Sequence, residues 1–307
     1  MAYLAVHNHG SDDHVGFSPI DLESHVRGYP ALRDIANGMP VGALVLGKNS
    51  MQADVWMPHG ERLTLSEATV VGPTVRRLYP RAPIEMELVG HVSHDRQLRM
   101  VGAAGQRILG QSTVGIIGLG GVGSLVNEYL SRLGVGHLIL VDFDLIEQTN
   151  LSRVVGATQA DVDARRSKVE IAERVATLAA PAPRVTTVLG DYANDEVARK
   201  LRTCDFLFLA ADSMRARLVF NATVHQYLVP GVQLGAKITN QNGAMQAWSV
   251  ARAVRPGQGC LLCNGFIDPT ELAIESKSDD ERKAQAYGVR EPNPSVITLN
   301  AVAAAHG

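Results

Sequence analysis

Three glycines, Gly118, Gly120 and Gly123, have the spacing G-x-G-x-x-G of a turn that holds phosphate. They directly follow the apolar run Val114–Ile117, which predicts a buried parallel strand. Glycine lets a backbone turn tightly and approach a phosphate closely. The free N–H groups at the start of the helix that follows attract an anion. The spacing and its position after a strand therefore predict a nucleotide-binding turn.

Two aspartates follow predicted strands and would meet that turn. Asp142 ends the strand Leu138–Val141, nineteen residues after Gly123, where a carboxylate can hold a ribose hydroxyl. Asp212 lies just past the apolar strand Asp205–Ala210. Because ligands bind at the carboxyl ends of parallel strands, both aspartates should lie near the glycine turn. Asp212 is a candidate ligand for Mg²⁺, a cation that prefers carboxylate and phosphate oxygens.

Two cations are candidates to neutralise the phosphates of a bound nucleotide. They are Arg153 and Lys168, and the alternative for each is a solvated surface charge. Thr158, with Asp161 three residues further on, forms a capping-box pattern. This pattern predicts that a helix starts at Thr158 and carries Lys168.

A second group of residues has the types found at catalytic zinc sites. His7 and His9, two residues apart on a predicted strand, point the same way, and Asp21 at the start of a helix could face them across a loop. Two imidazoles and one carboxylate are the three protein ligands of an open zinc site, with water in the fourth position. Ser18 could orient that water; alternatively, Ser18 and Asp21 are the N-cap and first-turn acid of the helix. His14 is an alternative ligand.

Cys260 and Cys263, in the spacing C-x-x-C, form half of a four-thiolate zinc site. No second cysteine pair follows before Gly307. The two thiols therefore belong to a structural zinc site completed elsewhere, to a site that this chain has lost, or to a thioester or persulfide nucleophile. Cys204 is predicted to be a core residue.

The elements that must position these residues are those of an α/β protein. After the glycine turn, apolar residues recur at the spacing of a helix packed on a sheet. They are Val122, Leu125, Val126, Tyr129, Leu130 and Leu133. Gly134 stands where a C-cap glycine ends such a helix. Strand, helix and strand in this order predict a Rossmann-like, doubly wound sheet.

The chain divides into two predicted domains joined by a linker. The predicted boundaries are residues 1–85 for an α+β domain, 86–110 for a linker with a crossover helix, and 111–307 for the α/β domain. Within the first domain, a helix from Leu22 is expected to break at Gly28–Pro30. The chain opens on strand-like residues and stops inside a helix that begins near Ser295, so we expect it to be part of a longer protein.

The composition sets bounds on function. The 307 residues carry a net charge of −2 and a hydrophobic content of 46%, which gives no reason to expect binding to nucleic acid or membrane through bulk charge. No apolar run approaches the roughly 18–20 residues of a membrane span. Three cysteines, an odd number, argue against a disulfide framework. The sequence therefore predicts a cytoplasmic protein that binds neither nucleic acid nor membrane.

His7, His9, Ser18 and Asp21 resemble the H-x-H and S-x-x-D motif of JAMM (MPN-type) metalloproteases, which cut the bond after a ubiquitin-like C-terminus. The resemblance covers only the second half of such a domain and implies a partial JAB/MPN-like α+β fold with Zn²⁺. The family's general-base glutamate lies upstream of H-x-H, and no glutamate precedes His7 here. Gly10 replaces the usual proline, and the gap before Ser18 is one residue longer than usual. The resemblance thus implies weak zinc binding without efficient hydrolysis.

Most of residues 90–300 resemble the ubiquitin-activating-enzyme superfamily, which includes the bacterial (ThiF/MoeB-like) adenylyltransferases of thiamine and molybdenum-cofactor synthesis. The matching stretches are Asp95–Gln97, Gly118–Ser124 with its doubled Gly120–Gly121, Val141–Asp144, Asn150–Arg153, Lys168–Glu170, and Ala211–Asp212 with Arg217. The doubled glycine and the Asn-Leu-x-Arg loop distinguish the chain from dehydrogenases. Ser213 stands where the family usually has asparagine.

The resemblance implies a role for each matched residue. Asp142 would hold the ribose, Arg153 and Lys168 would contact the ATP phosphates, and Asp212 would bind Mg²⁺. Arg96 would reach the nucleotide site of a second subunit, so a homodimer is expected. The other implied cofactor-binding residues are Gly118, Gly120, Gly121, Gly123, Asp144 and Asn150.

The resulting prediction is ATP- and Mg²⁺-dependent adenylation of the C-terminal glycine carboxylate of a ubiquitin-like protein. That carboxylate is already ionised near pH 7, so alignment and charge neutralisation suffice and no general base is needed. A conjugating enzyme is a further candidate partner. The rival interpretations are adenylation of a sulfur-carrier protein, a nicotinamide-dependent oxidoreductase and a non-catalytic scaffold.

Overall fold

The chain forms two units in a computed structural model, Met1–Glu87 and Leu88–Gly307. The structure describes residues 2–10, 14–71, 75–80, 91–241, 244–277 and 294–307. Residues 81–90, where the predicted linker begins, lie outside the described part. The helix predicted within that linker belongs to the second unit. Each unit is described by itself below.

The first unit is a small α+β unit. Its elements are β1 (Tyr3–Asn8), α1 (Pro19–Ile35), β2 (Val41–Leu46), β3 (Met51–Trp56), β4 (Arg62–Thr64), β5 (Ala68–Val71) and β6 (Val75–Leu78). Strands β1 to β4 form one sheet in chain order, in which β1 is parallel to β2 and the other pairs are antiparallel. Helix α1 connects the two parallel strands, and its Tyr29 packs on Val41 and Ala43. The end of β1 and the start of α1 therefore lie at the two ends of the same connecting loop.

The predicted break in α1 is wrong. The helix runs without interruption through Pro30. Proline lacks the N–H that would bond to the carbonyl of Val26. Val26 is 68% exposed, so water can take the place of the missing donor at that carbonyl. The helix starts earlier than expected, at Pro19, because Ser18 caps it.

The second unit is an α/β unit. Its strands are β7 (Thr113–Ile117), β8 (His137–Asp142), β9 (Arg184–Leu189), β10 (Phe206–Leu209), β11 (Gly231–Gln241) and β12 (Ala244–Val254). Its helices are α2 (Asp95–Gln111), α3 (Gly121–Leu133), α4 (Gln159–Asp163), α5 (Lys168–Thr177), α6 (Asp195–Arg199), α7 (Met214–Tyr227), α8 (Pro269–Glu275) and α9 (Ile297–His306). Among the described residues, no helix has the length and apolar character needed to cross a membrane.

The six strands of the second unit form a mixed sheet in the order β12-β11-β10-β7-β8-β9. The five strands from β11 to β9 are parallel, and β12 is antiparallel to β11. The chain therefore winds outward in one direction from β7 to β9, then returns to β10 beside β7 and winds outward the other way. This confirms the predicted Rossmann-like doubly wound sheet. Its switch point lies between β7 and β10, where such sheets bind ligands.

The central strands β7, β8 and β10 are apolar and buried on both faces because helices cover both faces. In β8, Leu138 and Leu140 belong to the core on the side of α3 and α5, whereas Ile139 and Val141 belong to the opposite core. All four side chains are buried, and burial of each stabilises the fold by about 1.5–3 kcal/mol. Gly134 ends α3 in the left-handed conformation, with φ +79°, as its position predicted.

Candidate functional site

The glycine turn lies at the switch point, between β7 and α3. Gly118 has φ +87°, and a Cβ there would lie 2.7 Å from the backbone nitrogen of Ala211. A Cβ at Gly123 would lie 1.8 Å from the carbonyl oxygen of Gly118. Gly120 is different, since a Cβ there would meet nothing within 4 Å. Gly118 and Gly123 are thus required by the fold itself, whereas Gly120 faces open space that a ligand can enter.

The first turn of α3 offers unsatisfied donors to a ligand. Its N-cap is Gly120, which has no side chain to accept from the first N–H groups. The partial positive charge of a helix N-terminus favours an anion there. The N-terminus of α3 is therefore suited to bind a phosphate group in the open space beside Gly120.

Asp142, at the end of β8, lies next to the turn as predicted. It is 7% exposed, and its two oxygens accept the N–H groups of Leu119 at 2.6 Å and Asp144 at 2.8 Å. Burial raises the pKa of Asp142, whereas the nearby Lys168 ammonium and the two N–H donors act in the opposite direction. The carboxylate therefore braces the glycine turn.

Asp144 and Lys168 form an ion pair beside Asp142. Lys168 Nζ lies 2.6 Å from Asp144 Oδ2, and the lysine side chain is only 11% exposed. The backbone N–H of Lys168 also donates to the carbonyl of Asp144 at 3.0 Å. The lysine is thus held at the carboxyl edge of the sheet by the residue that follows β8, rather than lying free in solvent.

The predicted helix start at Thr158 is only partly right. Thr158 and Asp161 form a capping box, but the helix that they begin is the short α4. The helical conformation is then interrupted at Arg165, which has φ +51°. Lys168 begins a separate helix, α5, whose own capping box is formed by Ser167 and Glu170.

Asn150 and Arg153 lie in the loop between β8 and α4. Asn150 is 8% exposed and its Oδ1 accepts the N–H of Glu147 at 3.2 Å, so it shapes the loop. Arg153 donates through Nη1 to the carbonyl of Thr149 at 2.6 Å. The N–H of Val155 donates to the Ser124 hydroxyl of α3 at 3.1 Å. This bond attaches the loop, and Arg153 with it, to the first turn of α3.

Asp212 lies three residues past the end of β10 and is exposed. The preceding Ala210 donates its N–H to the carbonyl of Ile117 at 2.7 Å, so Asp212 follows the strand that neighbours the glycine turn. Ser213 caps α7 by accepting the N–H of Ala216 at 3.1 Å. The structure thus brings the glycine turn, Asp142 and Asp212 to one edge of the sheet, as the sequence predicted.

Two further residues reach this edge and were missed by sequence reasoning. Glu275 of α8 accepts the N–H groups of Met214 at 2.9 Å and Arg215 at 3.0 Å, and so caps α7 behind Asp212. Asn300 of α9 lies next to Gly121. Both residues are far from the glycine turn in sequence. The available signal for Asn300 was an asparagine within the largely apolar run that forms α9.

Arg96 lies away from the glycine turn of its own chain. It is exposed on α2, and the adjacent Gln97 donates to the carbonyl of Leu133 at 2.8 Å. Leu133 is the last residue of the 13-residue α3, so the start of α2 lies about 18 Å along that helix from the turn. Arg96 is therefore not among the residues that meet at the sheet edge.

Cys260 and Cys263 lie together, with 3.2 Å between their sulfurs. The N–H of Cys263 donates to the Cys260 sulfur at 3.3 Å, and this donor is the first of several that lower the pKa of Cys260. Within the described residues, no third histidine, cysteine or carboxylate joins them in a metal-ligating group. Cys204 is buried in the core, as predicted.

In the first unit, His7, His9 and Asp21 meet. Their ligand atoms are separated by 3.0 Å between the histidine Nε2 atoms, 3.5 Å from His7 to Asp21 and 3.4 Å from His9 to Asp21. Ligands about 2.0–2.2 Å from a tetrahedral zinc lie roughly 3.3–3.6 Å from one another. The three atoms thus form a triangle close in size to one face of a zinc tetrahedron.

Ser18 holds the carboxylate of that group in place. Its hydroxyl donates to Asp21 Oδ2 at 2.7 Å, and its backbone N–H donates to the same oxygen at 2.8 Å. These two bonds, followed by the charges of His7 and His9, lower the pKa of Asp21. The N-cap interpretation of Ser18 and Asp21 is therefore correct, and Oδ2, which accepts both Ser18 bonds, is also the oxygen that lies 3.5 Å from His7 and 3.4 Å from His9.

Comparison with known proteins assigns the second unit to a family. The sequence model of the ThiF family matches residues 94–306. Ubiquitin-like modifier-activating enzyme 5 of Drosophila willistoni is 27% identical over 192 residues, which are 58% of this chain and 44% of that protein. Molybdopterin-synthase adenylyltransferase of Escherichia coli (strain K12) is 31% identical over 159 residues, which are 52% of this chain and 61% of that protein. The chain spans about half the length of the curated relatives it matches.

A solved structure has the same fold. The crystal structure of E. coli MccB with ATP superposes with a TM-score of 0.53 over 70% of this chain and 61% of that chain, at 24% identity. The residues matched by the family model all lie in the second unit, so the first unit is not part of that match.

Proposed function

This chain belongs to the ThiF family, and from that premise we propose that it uses ATP and Mg²⁺ to adenylate the C-terminal glycine carboxylate of a ubiquitin-like protein. The observation that carries the proposal is the uncapped first turn of α3, open at Gly120 and flanked by Asp142 and Lys168. That arrangement provides donors for phosphate, an acceptor for ribose and a cation at one edge of the sheet.

In the proposed reaction, a carboxylate oxygen of the glycine forms a bond to the α-phosphorus of ATP. The bond from that phosphorus to its bridging oxygen breaks, and pyrophosphate leaves with the electron pair. The products are an acyl-adenylate and pyrophosphate. No proton needs to move, which suits a site that offers cations and amides.

Each residue of the edge has a part in this proposal. The carboxylate of Asp142 holds the ribose, Arg153 and Lys168 neutralise the phosphates, and Asp212 is the carboxylate ligand of Mg²⁺. The exposed position of Asp212 past β10 suits a hard cation that keeps several waters. When bound, Mg²⁺ would neutralise the negative charge of the phosphates.

We also propose that the active form is a homodimer. Arg96 lies at the far end of α3 from the glycine turn of its own chain, so it would act on the nucleotide of a second copy. A conjugating enzyme that accepts the activated tail is a further proposed partner. Cys260 and Cys263 are proposed as half of a structural zinc site.

The test is exchange of labelled pyrophosphate into ATP with purified proteins that end in a free glycine carboxylate. Exchange should require the tail, and it should vanish when the terminal carboxylate is amidated. Asp212→Asn should abolish it, whereas Asp195→Asn, a matched change on the exposed start of α6, should not. Exchange that ignores the tail, or that survives Asp212→Asn, would contradict the proposal.

The identity of the tail protein separates this proposal from its nearest rival. The relatives include a molybdopterin-synthase adenylyltransferase and a ThiS adenylyltransferase, which favours a sulfur-carrier protein as the alternative substrate. Exchange with sulfur carriers alone would support that alternative. Thermal stabilisation by NADH and not by ATP would instead favour an oxidoreductase, and stabilisation by neither would favour a scaffold.

For the first unit we propose a zinc site formed by His7, His9 and Asp21, in a partial JAMM-like module. The separations of their ligand atoms, which are close to the edges of a zinc tetrahedron, support it. Cobalt titration of the full chain, with both Cys260 and Cys263 changed to serine, should give the visible absorption of a tetrahedral site. Asp21→Ala should remove that absorption and His59→Ala should leave it. Equal spectra from the two variants would count against the site.

A further inference from the structure

Asn300 is a buried polar residue at the proposed phosphate end of the site. It lies on α9 and is 2% exposed. Its Nδ2 donates to the Ser295 hydroxyl at 3.1 Å, and Ala303 and Ala304 on the same helix pack into the core that contains α3. Asn300 is therefore fixed on a rigid element against the helix that begins at the glycine turn.

Gly121, the second residue of the doubled glycine, leaves the space that this side chain occupies. A Cβ at Gly121 would lie 2.2 Å from Nδ2 of Asn300 and 3.0 Å from its Cγ. Separations under about 3 Å between such atoms are strongly repulsive. Gly121 is thus the residue that Asn300 requires, whereas Gly120 beside it faces open space.

Arg153 passes the same point. Its Cδ would lie 3.3 Å from that Cβ position of Gly121, so the amide of Asn300 and the stem of Arg153 both approach Gly121. The loop of Arg153 is attached to α3 by the bond from Val155 to Ser124. Three segments distant in sequence therefore converge at Gly121: the start of α3, the Arg153 loop and α9.

We propose that Asn300 is a positioning residue that sets the direction of the Arg153 side chain across the N-terminus of α3. This inference deepens the proposed function and rests on it for the role of Arg153 toward phosphate. A neutral amide suits the position because it occupies the space beside Gly121 without adding a negative charge near the triphosphate. Asn300 acts through Arg153 and needs no contact with the nucleotide.

The test is a double-mutant cycle on kcat/KM for ATP in the exchange reaction, with Asn300→Ala, Arg153→Ala and the double variant. Asn300→Ala should lower kcat/KM about tenfold, and the double variant should be no worse than Arg153→Ala alone, because both remove one interaction. Gly121→Ala, which displaces Asn300, should reproduce the loss. Val302→Ala, on the exposed side of α9 (44% exposed), is the matched control and should have no effect.

Charge separates positioning from simple packing. Asn300→Asp has nearly the same shape but places a carboxyl group at a position that is 2% exposed, so a packing role alone predicts a loss that added salt does not relieve. If Asn300 positions Arg153 toward the phosphates, Asn300→Asp should lower kcat/KM more than Asn300→Ala does. The additional loss should shrink as salt is added, because salt screens the new charge. Additive effects in the cycle, or an Asn300→Asp variant as active as the wild type, would overturn the proposal.

A crystal structure of the Asn300→Ala chain tests the inference without any substrate. The Arg153 side chain should leave the position in which Nη1 donates to Thr149. An unchanged Arg153 would refute the role of Asn300 even if the proposed function holds. If the wild type binds no ATP, the proposed function fails, and this structural comparison still decides the positioning role.

Discussion

The Oδ2 atom of Asp142 accepts the backbone N–H of Leu119 at 2.6 Å and so connects the end of β8 to the glycine turn. Both residues are buried, and the second oxygen of Asp142 accepts from Asp144. The carboxylate that would hold a ribose therefore also fixes the turn that would hold the phosphates.

Asp142→Asn should destabilise the free protein as well as weaken ATP binding. An asparagine has one acceptor oxygen, so its NH₂ group would face one of the two N–H donors. We expect the free energy of unfolding to fall by about 1–3 kcal/mol, measured by urea denaturation. Asp163→Asn, an exposed change of the same kind, is the control. Equal stability of the two variants would show that the brace is unimportant.

Gly123→Ala should destabilise the fold, whereas Gly120→Ala should not. A Cβ at Gly123 would collide with the carbonyl oxygen of Gly118, 1.8 Å away, so we expect a loss of at least about 1–3 kcal/mol. Gly120 has φ −71° and open space around it, so its alanine variant should fold normally. The same variant should lose ATP binding, because the methyl group occupies the space over the first turn of α3. Thermal unfolding with and without ATP measures both effects, and normal ATP binding by Gly120→Ala would place the nucleotide elsewhere.

Lys168→Met should reduce ATP affinity with little change in stability. Its partner Asp144 is 45% exposed, and ion pairs with an exposed member contribute at most about 1 kcal/mol. We expect a loss of affinity of about tenfold or more, measured by calorimetry, because a cation is removed from the phosphate side. Arg199→Met removes a similar cation from the exposed pair with Asp195 and should leave affinity unchanged. If both variants bind ATP like the wild type, Lys168 serves only the fold.

Arg174→Met should destabilise the loop that carries Arg153. Arg174 donates to both oxygens of the buried Asp161 at 2.7 Å and to the carbonyl of Gly156 at 2.8 Å. These bonds hold the pKa of Asp161 far below its usual value. We expect a loss of about 1.5–3 kcal/mol near pH 7, measured by urea denaturation.

The stability that Asp161 contributes should depend on pH with a definite sign. Because the pKa of Asp161 is lower in the folded state, its contribution to stability is complete above the unfolded value of about 3.9. The contribution declines as the pH falls through the lower folded value. The difference between wild type and Asp161→Asn should therefore be constant from pH 5 to 7 and shrink below about pH 4. A difference that grew on acidification would contradict this assignment.

Local patterns predicted much of the second unit. The run Val114–Ile117, the glycine spacing and the apolar stripe of α3 each depend on neighbours along the chain, and the structure agrees with all three. Asp142 and Asp212 were placed correctly because parallel strands share one carboxyl edge. The interruption at Arg165 and the intact helix at Pro30 were not predicted, since each depends on local caps and solvent exposure that periodicity does not report.

The sequence by itself determined the doubly wound fold, the position of the glycine turn and the types of residue that surround it. These features follow from short-range periodicity and from the conformational freedom of glycine, both of which depend only on neighbouring residues along the chain. Only the tertiary structure decided that Lys168 pairs with Asp144, that Asp142 bonds to Leu119, and that Asn300 meets Gly121. Such contacts join segments separated by 23 to almost 180 residues, and their geometry is set by how helices pack on a completed sheet.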